Sequence, residues 1–204
     1  MRLPAAGAPL AGARAAAVLV HGRGASAEDI LSLGTEFGQD DVAYVAPQAE
    51  NHAWYPYSFL APLAQNEPHL GRALATLGAT FDHLAAQGFA PERIALIGFS
   101  QGGCLALEYA ARNARRYGTI AGLSAGLIGP PGTPRDYAGA FAGTPVFLGC
   151  SDVDPHIPLP RVHETRDVLG RMSAAVTTRV YPGMPHTINA DEIAEVGKLL
   201  AAIA

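Results

Sequence analysis

Lysine is almost missing from this chain of 204 residues: thirteen of its fourteen cationic residues are arginine, and Lys198 is the exception. With the abundant alanine, that bias reads as genome composition rather than as a phosphate-binding device. There is no surplus of positive charge either. The formal net charge is −4, which leaves no basic footprint for nucleic acid. Cysteine occurs twice, at Cys104 and Cys150, without the spaced framework that staples small secreted domains. A reduced, cytoplasmic setting accounts for both thiols. No apolar run approaches the ~20 residues of a membrane span. The Ala-rich stretch 1–20, with Arg2 and Arg14, invites comparison with a signal peptide. Its most apolar part, 15–20, runs straight into His21-Gly22-Arg23-Gly24, which the chemistry below requires. The histidines and carboxylates show no H-E-x-x-H pattern, and Gly22-Arg23-Gly24 is far from a phosphate loop or dinucleotide fingerprint. Neither a metal nor a cofactor is expected.

What is present is a core. The hydrophobic share is 49% and the charged share 16%, in a length that suits one globular domain over 1–204. Short apolar runs at 15–20, 42–46, 93–99, 119–124, 145–150 and 176–181 alternate with amphipathic stretches at 27–37, 70–87, 101–113, 161–173 and 190–203. The pattern predicts an α/β fold: a mainly parallel sheet of about six to seven strands with helices on both faces. At most one small strand fits before residue 15. Two segments match neither period. Residues 47–68 hold Pro47, Pro56, Pro62 and Pro68 with Trp54, Tyr55, Tyr57 and Phe59, and 126–144 is rich in Gly and Pro. Both read as insertions above the sheet, where pockets are built.

The sharpest chemical signal is Gly98-Phe99-Ser100-Gln101-Gly102, a G-x-S-x-G between an apolar strand and a helix-forming stretch. A serine on such a corner exposes its hydroxyl, and glycines two residues before and after relieve backbone crowding. A serine there can also merely cap a helix. As a nucleophile it needs a base, and the base needs an orienting acid, in the chain order Ser, acid, His. Asp152 and Asp154 follow the strand at 145–150, and His186 follows the last strand. His156 rivals His186, which alone lies between the final strand and the final helix. Of the other histidines, His69 precedes a helix, His83 lies on it and His163 opens another. Asp154 precedes Pro155, which favours extended backbone and holds its carboxylate clear of a following helix; a turn-stabilising role suits the other Asp. The oxyanion requires two main-chain donors: Gln101 N–H, and the Arg23 N–H from the loop after the first long strand.

His21-Gly22-Arg23-Gly24-Ala25, Gly98-Phe99-Ser100-Gln101-Gly102-Gly103, Asp154-Pro155-His156-Ile157-Pro158 and Gly183-Met184-Pro185-His186 together resemble the phospholipase/carboxylesterase family of small α/β-hydrolases, which includes the acyl-protein thioesterases. The resemblance runs from about residue 15 to the C-terminus. It implies an α/β-hydrolase fold, a triad of Ser100, Asp154 and His186, and oxyanion donors at Arg23 and Gln101, and it favours Asp154 over Asp152. The stretch 51–59 departs from the acyl-protein thioesterases and is closer to a bacterial esterase branch of dienelactone-hydrolase-like character. That departure points to a small-molecule ester rather than to protein depalmitoylation.

The expectation is therefore a serine hydrolase acting on carboxylic esters or thioesters through an acyl-enzyme, with acyl-protein thioesterase or lysophospholipase activity as the alternative. Trp54, Tyr55 and Phe59 are expected to bind substrate, as aromatic walls of a largely apolar site, although some rings anchor the loop instead. A homodimer is left open. A ligand-binding module on a hydrolase scaffold is the rival from another class. A cysteine-dependent dienelactone hydrolase fits poorly, because Cys104 lies about one helical turn past the corner. An interfacial lipase lacks its apolar lid.

Overall fold

The computed structural model describes residues 3–204. Its seven strands are β1 (Ala5–Gly7), β2 (Ala15–Val20), β3 (Val42–Val45), β4 (Ile94–Phe99), β5 (Thr119–Leu123), β6 (Pro145–Ser151) and β7 (Ala175–Tyr181). They form one sheet in the order β1-β3-β2-β4-β5-β6-β7. Only β1 runs antiparallel, against β3; the other pairings are parallel. The fold is α/β, with a mostly parallel central sheet flanked by helices.

Both faces of β2 are buried, and its side chains alternate between two cores. Ala16, Val18 and Val20 join one cluster; Ala15, Ala17 and Leu19 join the other. The first cluster is covered by α3 (His69–Ala86), α4 (Ser100–Arg112) and α5 (Leu159–Arg171). The second is covered by α1 (Ala27–Glu36) and α6 (Ala190–Ala201). This two-sided cover explains why the strands read as unbroken apolar runs. Helices α1 and α6 each begin at a capping box, Ser26 with Asp29 and Asn189 with Glu192, so two orphan backbone donors are satisfied at each start.

Differences from the sequence reading are local. Arg93 belongs to a 3-10 turn, Pro91–Arg93, rather than to β4. Helix α5 starts at Leu159, with proline in its first turn, where a missing N–H costs nothing. His163 therefore lies inside that helix instead of opening it. Residues 47–68 contain a 3-10 turn, Glu50–His52, and one short helix, α2 (Leu63–Asn66). No helix of the described residues is long and apolar enough to cross a membrane.

Candidate active site

β4 ends at Phe99 and α4 begins at Ser100, so the chain turns within one residue. Ser100 takes φ 53°, a left-handed conformation that non-glycine residues rarely adopt. Such a residue stores roughly 1–3 kcal/mol, sustained by the structure around it. The corner is possible because its neighbours lack side chains. A Cβ on Gly98 would sit 2.5 Å from the Gly102 carbonyl oxygen, and one on Gly102 would collide with the carbonyls of Val20 and His21. Gly103 is equally constrained, since its Cβ would lie 2.6 Å from that of Ala125. The outcome is a hydroxyl at the carboxyl edge of the sheet, beside the N-terminus of a helix of 13 residues.

Two later loops converge on that hydroxyl. Ser100 Oγ lies 2.8 Å from His186 Nε2, and His186 Nδ1 lies 2.7 Å from Asp154 Oδ2. Since the carboxylate accepts, the imidazole carries its proton on Nδ1, which leaves Nε2 free to accept from the serine hydroxyl. The Asp154 side chain is fully buried. Its Oδ1 accepts the N–H groups of His156 at 2.8 Å and Ile157 at 3.0 Å. Burial alone would raise its pKa. The bonds from His186 and from those two N–H groups outweigh burial and hold the carboxyl below its ordinary value. Phe99 and His156 flank the His186 ring, at centroid distances of 5.0 and 4.8 Å. Asp152 does something else. Its Oδ1 accepts the Gly183 N–H at 2.8 Å, tying the β6 loop to the loop that carries His186.

The two candidate oxyanion residues hold the pocket wall through their side chains. Arg23 Nη1 donates to Pro56 O at 3.0 Å, and its Nη2 donates to Tyr55 O at 2.8 Å and Tyr57 O at 2.9 Å. Gln101 Nε2 donates to Tyr55 O at 2.8 Å, while its Oε1 accepts from the Trp54 N–H at 3.0 Å. His21 closes the arrangement. Its ring is fully buried, donates from Nδ1 to Gly22 O at 2.8 Å and accepts the Ala49 N–H on Nε2 at 3.1 Å. Burial lowers its pKa and keeps it neutral, against the pull of the Gly22 carbonyl.

A cavity of about 580 Å³ opens at Ser100. Of the expected pocket residues Tyr55 and Phe59 line it, together with Tyr57, Arg23, Gln101 and His186. Trp54 is not brought into that lining. Its indole N–H needs an acceptor when buried and finds His21 O at 2.8 Å, so the ring packs, tilted by 35°, against His21. Residues 126–144 do not line the cavity either. They buttress it from behind, where Gly129 N–H donates to Phe59 O at 2.7 Å. The side-chain roles of Arg23, Gln101 and His21 were missed in the sequence; a polar residue beside a Gly-rich turn gives no sign of which carbonyl it will reach. Cys104 also lines the cavity, but burial pushes its thiol up to about 12, so it is no nucleophile at neutral pH. Among the described residues no cluster of three or more His, Cys, Asp or Glu side chains could hold a metal ion.

Comparison with known proteins adds a family. The model of the phospholipase/carboxylesterase family matches residues 6–204. A crystal structure of a phospholipase/carboxylesterase from Dyadobacter fermentans is 47% identical, with a TM-score of 0.94 over 98% of this chain and 96% of that one. Acyl-protein thioesterase 1 of Gibberella zeae is 34% identical over 118 residues, which is 55% of this chain and 49% of that protein. The protein of the same name from Saccharomyces cerevisiae is 30% identical over 118 residues, covering 56% and 51%. The chain thus spans about half the length of these curated relatives.

Proposed function

Because the chain belongs to the phospholipase/carboxylesterase family, we propose that it is a serine hydrolase cleaving carboxylic esters of small molecules through an acyl-enzyme intermediate. The observation that carries this reading is the unbroken run of hydrogen bonds from Ser100 Oγ through His186 to Asp154. In the proposed mechanism His186 Nε2 takes the Ser100 proton as the oxygen attacks the substrate carbonyl. The tetrahedral oxyanion is held by the N–H groups of Arg23 and Gln101. Gln101 sits in the first turn of α4, where N–H groups have no helical partner. His186 then protonates the leaving group, and a water activated by the same imidazole releases the acid. Asp154 fixes the tautomer and stabilises the charged ring. One α/β unit spanning 1–204 is part of the proposal, with 47–68 as the pocket wall.

Two features favour an ester of modest size: the cavity volume and the aromatic wall. A thioester reading is favoured by the names of the curated relatives. Two measurements test the proposal. A fluorophosphonate probe should label Ser100, and Ser100→Ala should abolish labelling and lower turnover by about 10⁴–10⁶. A series of p-nitrophenyl esters of rising acyl length, with one thioester counterpart, should show turnover falling once the chain outgrows the cavity. A folded protein that is neither labelled at Ser100 nor active on any member would refute the proposal.

A further inference from the structure

The lining of the cavity at Ser100 carries one permanent positive charge and, among the described residues, no carboxylate. Arg23 is its permanent cation, His156 and His186 are its imidazoles, and among the described residues no Asp or Glu lines the cavity. Asp154 lies behind His186, buried, with both oxygens engaged.

Arg23, like Arg93 and Arg116, is held by main-chain carbonyls, whereas six other arginines are held by carboxylates. Arg14, Arg112, Arg135, Arg161, Arg166 and Arg179 each meet a carboxylate. The guanidinium of Arg23 instead meets three main-chain carbonyls. Carbonyl dipoles fix its position without neutralising it. A guanidinium has five N–H donors. The three carbonyls occupy one on Nη1 and both on Nη2, which leaves Nε–H and the second Nη1–H for a ligand. The residue is exposed, so an entering group can reach it. Its side chain springs from the residue whose N–H is assigned to the oxyanion, so the free charge stands within one arginine length of the reacting carbonyl.

We infer that this cavity selects esters bearing a carboxylate a few bonds from the scissile carbonyl, with the Arg23 guanidinium as its binding group. The inference rests on the hydrolase reading above and narrows its substrate class. The carboxylate belongs either to the acyl part or to the leaving group, and one experiment separates the two.

In the acyl arm, mono-p-nitrophenyl adipate is compared with its methyl ester. In the leaving-group arm, 4-carboxyphenyl butyrate is compared with 4-carbamoylphenyl butyrate. Each kcat/KM is divided by the hydroxide-catalysed rate of the same ester. The expected result is a preference of about tenfold or more for the anion in one arm, since charge-assisted hydrogen bonds are the strong ones. Arg23→Met, of similar length and uncharged, should bring that ratio towards one, mainly through KM. Should that variant not fold, about 1 M NaCl should lower the wild-type preference for the anion instead, as screening and competing chloride weaken an exposed ion pair. A preference unchanged by salt would overturn the inference. Neutral esters preferred in both arms would overturn the inference and leave the hydrolase reading standing. Equal loss on both members of a pair in Arg23→Met would also overturn it, because Arg23 would then only clamp the wall. No turnover of any of the four esters, with Ser100 still labelled by the fluorophosphonate probe, would overturn the inference alone; loss of labelling as well would overturn the hydrolase reading.

Discussion

At the scale of single residues the candidate site is a set of near-identical groups separated by their partners. Asp152 and Asp154 lie two positions apart on one loop, yet only Asp154 is buried against an imidazole, while Asp152 is exposed and holds a backbone N–H. Asp154→Asn should therefore lower kcat by about 10⁴, by analogy with loss of the orienting acid in serine triads. Asp152→Asn keeps an oxygen for the Gly183 N–H and should cost less than tenfold. Steady-state kinetics on one ester decides between them, and the reverse order would exchange their roles. The sequence made Ser100 and His186 legible because chain order and a sharp turn leave few candidates. It could not make Trp54 legible, since an aromatic residue in an insertion looks the same whether it faces a ligand or backs a loop. Trp54→Phe leaves the buried His21 carbonyl without its indole donor. A loss of roughly 1–3 kcal/mol is expected, read as a lowered midpoint in urea.

At the scale of elements, the helices and parallel strands were readable because burial on two faces leaves continuous apolar runs, while amphipathic helices keep their 3.6-residue period. The insertion at 47–68 has no period, and it is fixed from outside by Arg23, Gln101 and His21. Helix α6 carries a pH response of its own. Glu192 serves its capping box through Oε2, but Oε1 is buried with no partner, and burial pushes the carboxyl up to about 7 from 4.5. The folded state thus holds this proton more tightly than the unfolded chain does. The resulting stability is present in full below about 4.5 and is lost as pH rises through about 7. Its ceiling is roughly 3 kcal/mol, at 1.36 kcal/mol per pH unit. Denaturant midpoints measured from pH 5 to pH 8 should fall for the natural protein and stay flatter for Glu192→Gln. Parallel curves for the two proteins would show that another group sets the slope.

At the scale of the whole molecule, every loop of the candidate site leaves the carboxyl edge of the same mostly parallel sheet: those after β2, β3, β4, β6 and β7. The strand order follows from βα crossovers, and the sequence pattern implies parallel pairing without fixing which strands become neighbours. Because one sheet joins all the strands, the proposed hydrolytic activity and far-UV circular dichroism should disappear in a single coincident urea transition. An activity loss that clearly precedes the loss of secondary structure would show that the pocket wall melts as a separate unit.

The residues whose main-chain N–H groups are assigned to the oxyanion also grip residues 54–57 with their side chains. On the proposed mechanism, rate and selectivity are therefore coupled in this scaffold. Transplanting a wider loop from a relative would need new carbonyl acceptors in register with Arg23 and Gln101. A graft that ignored them would be expected to slow catalysis on every substrate, including those it was meant to admit.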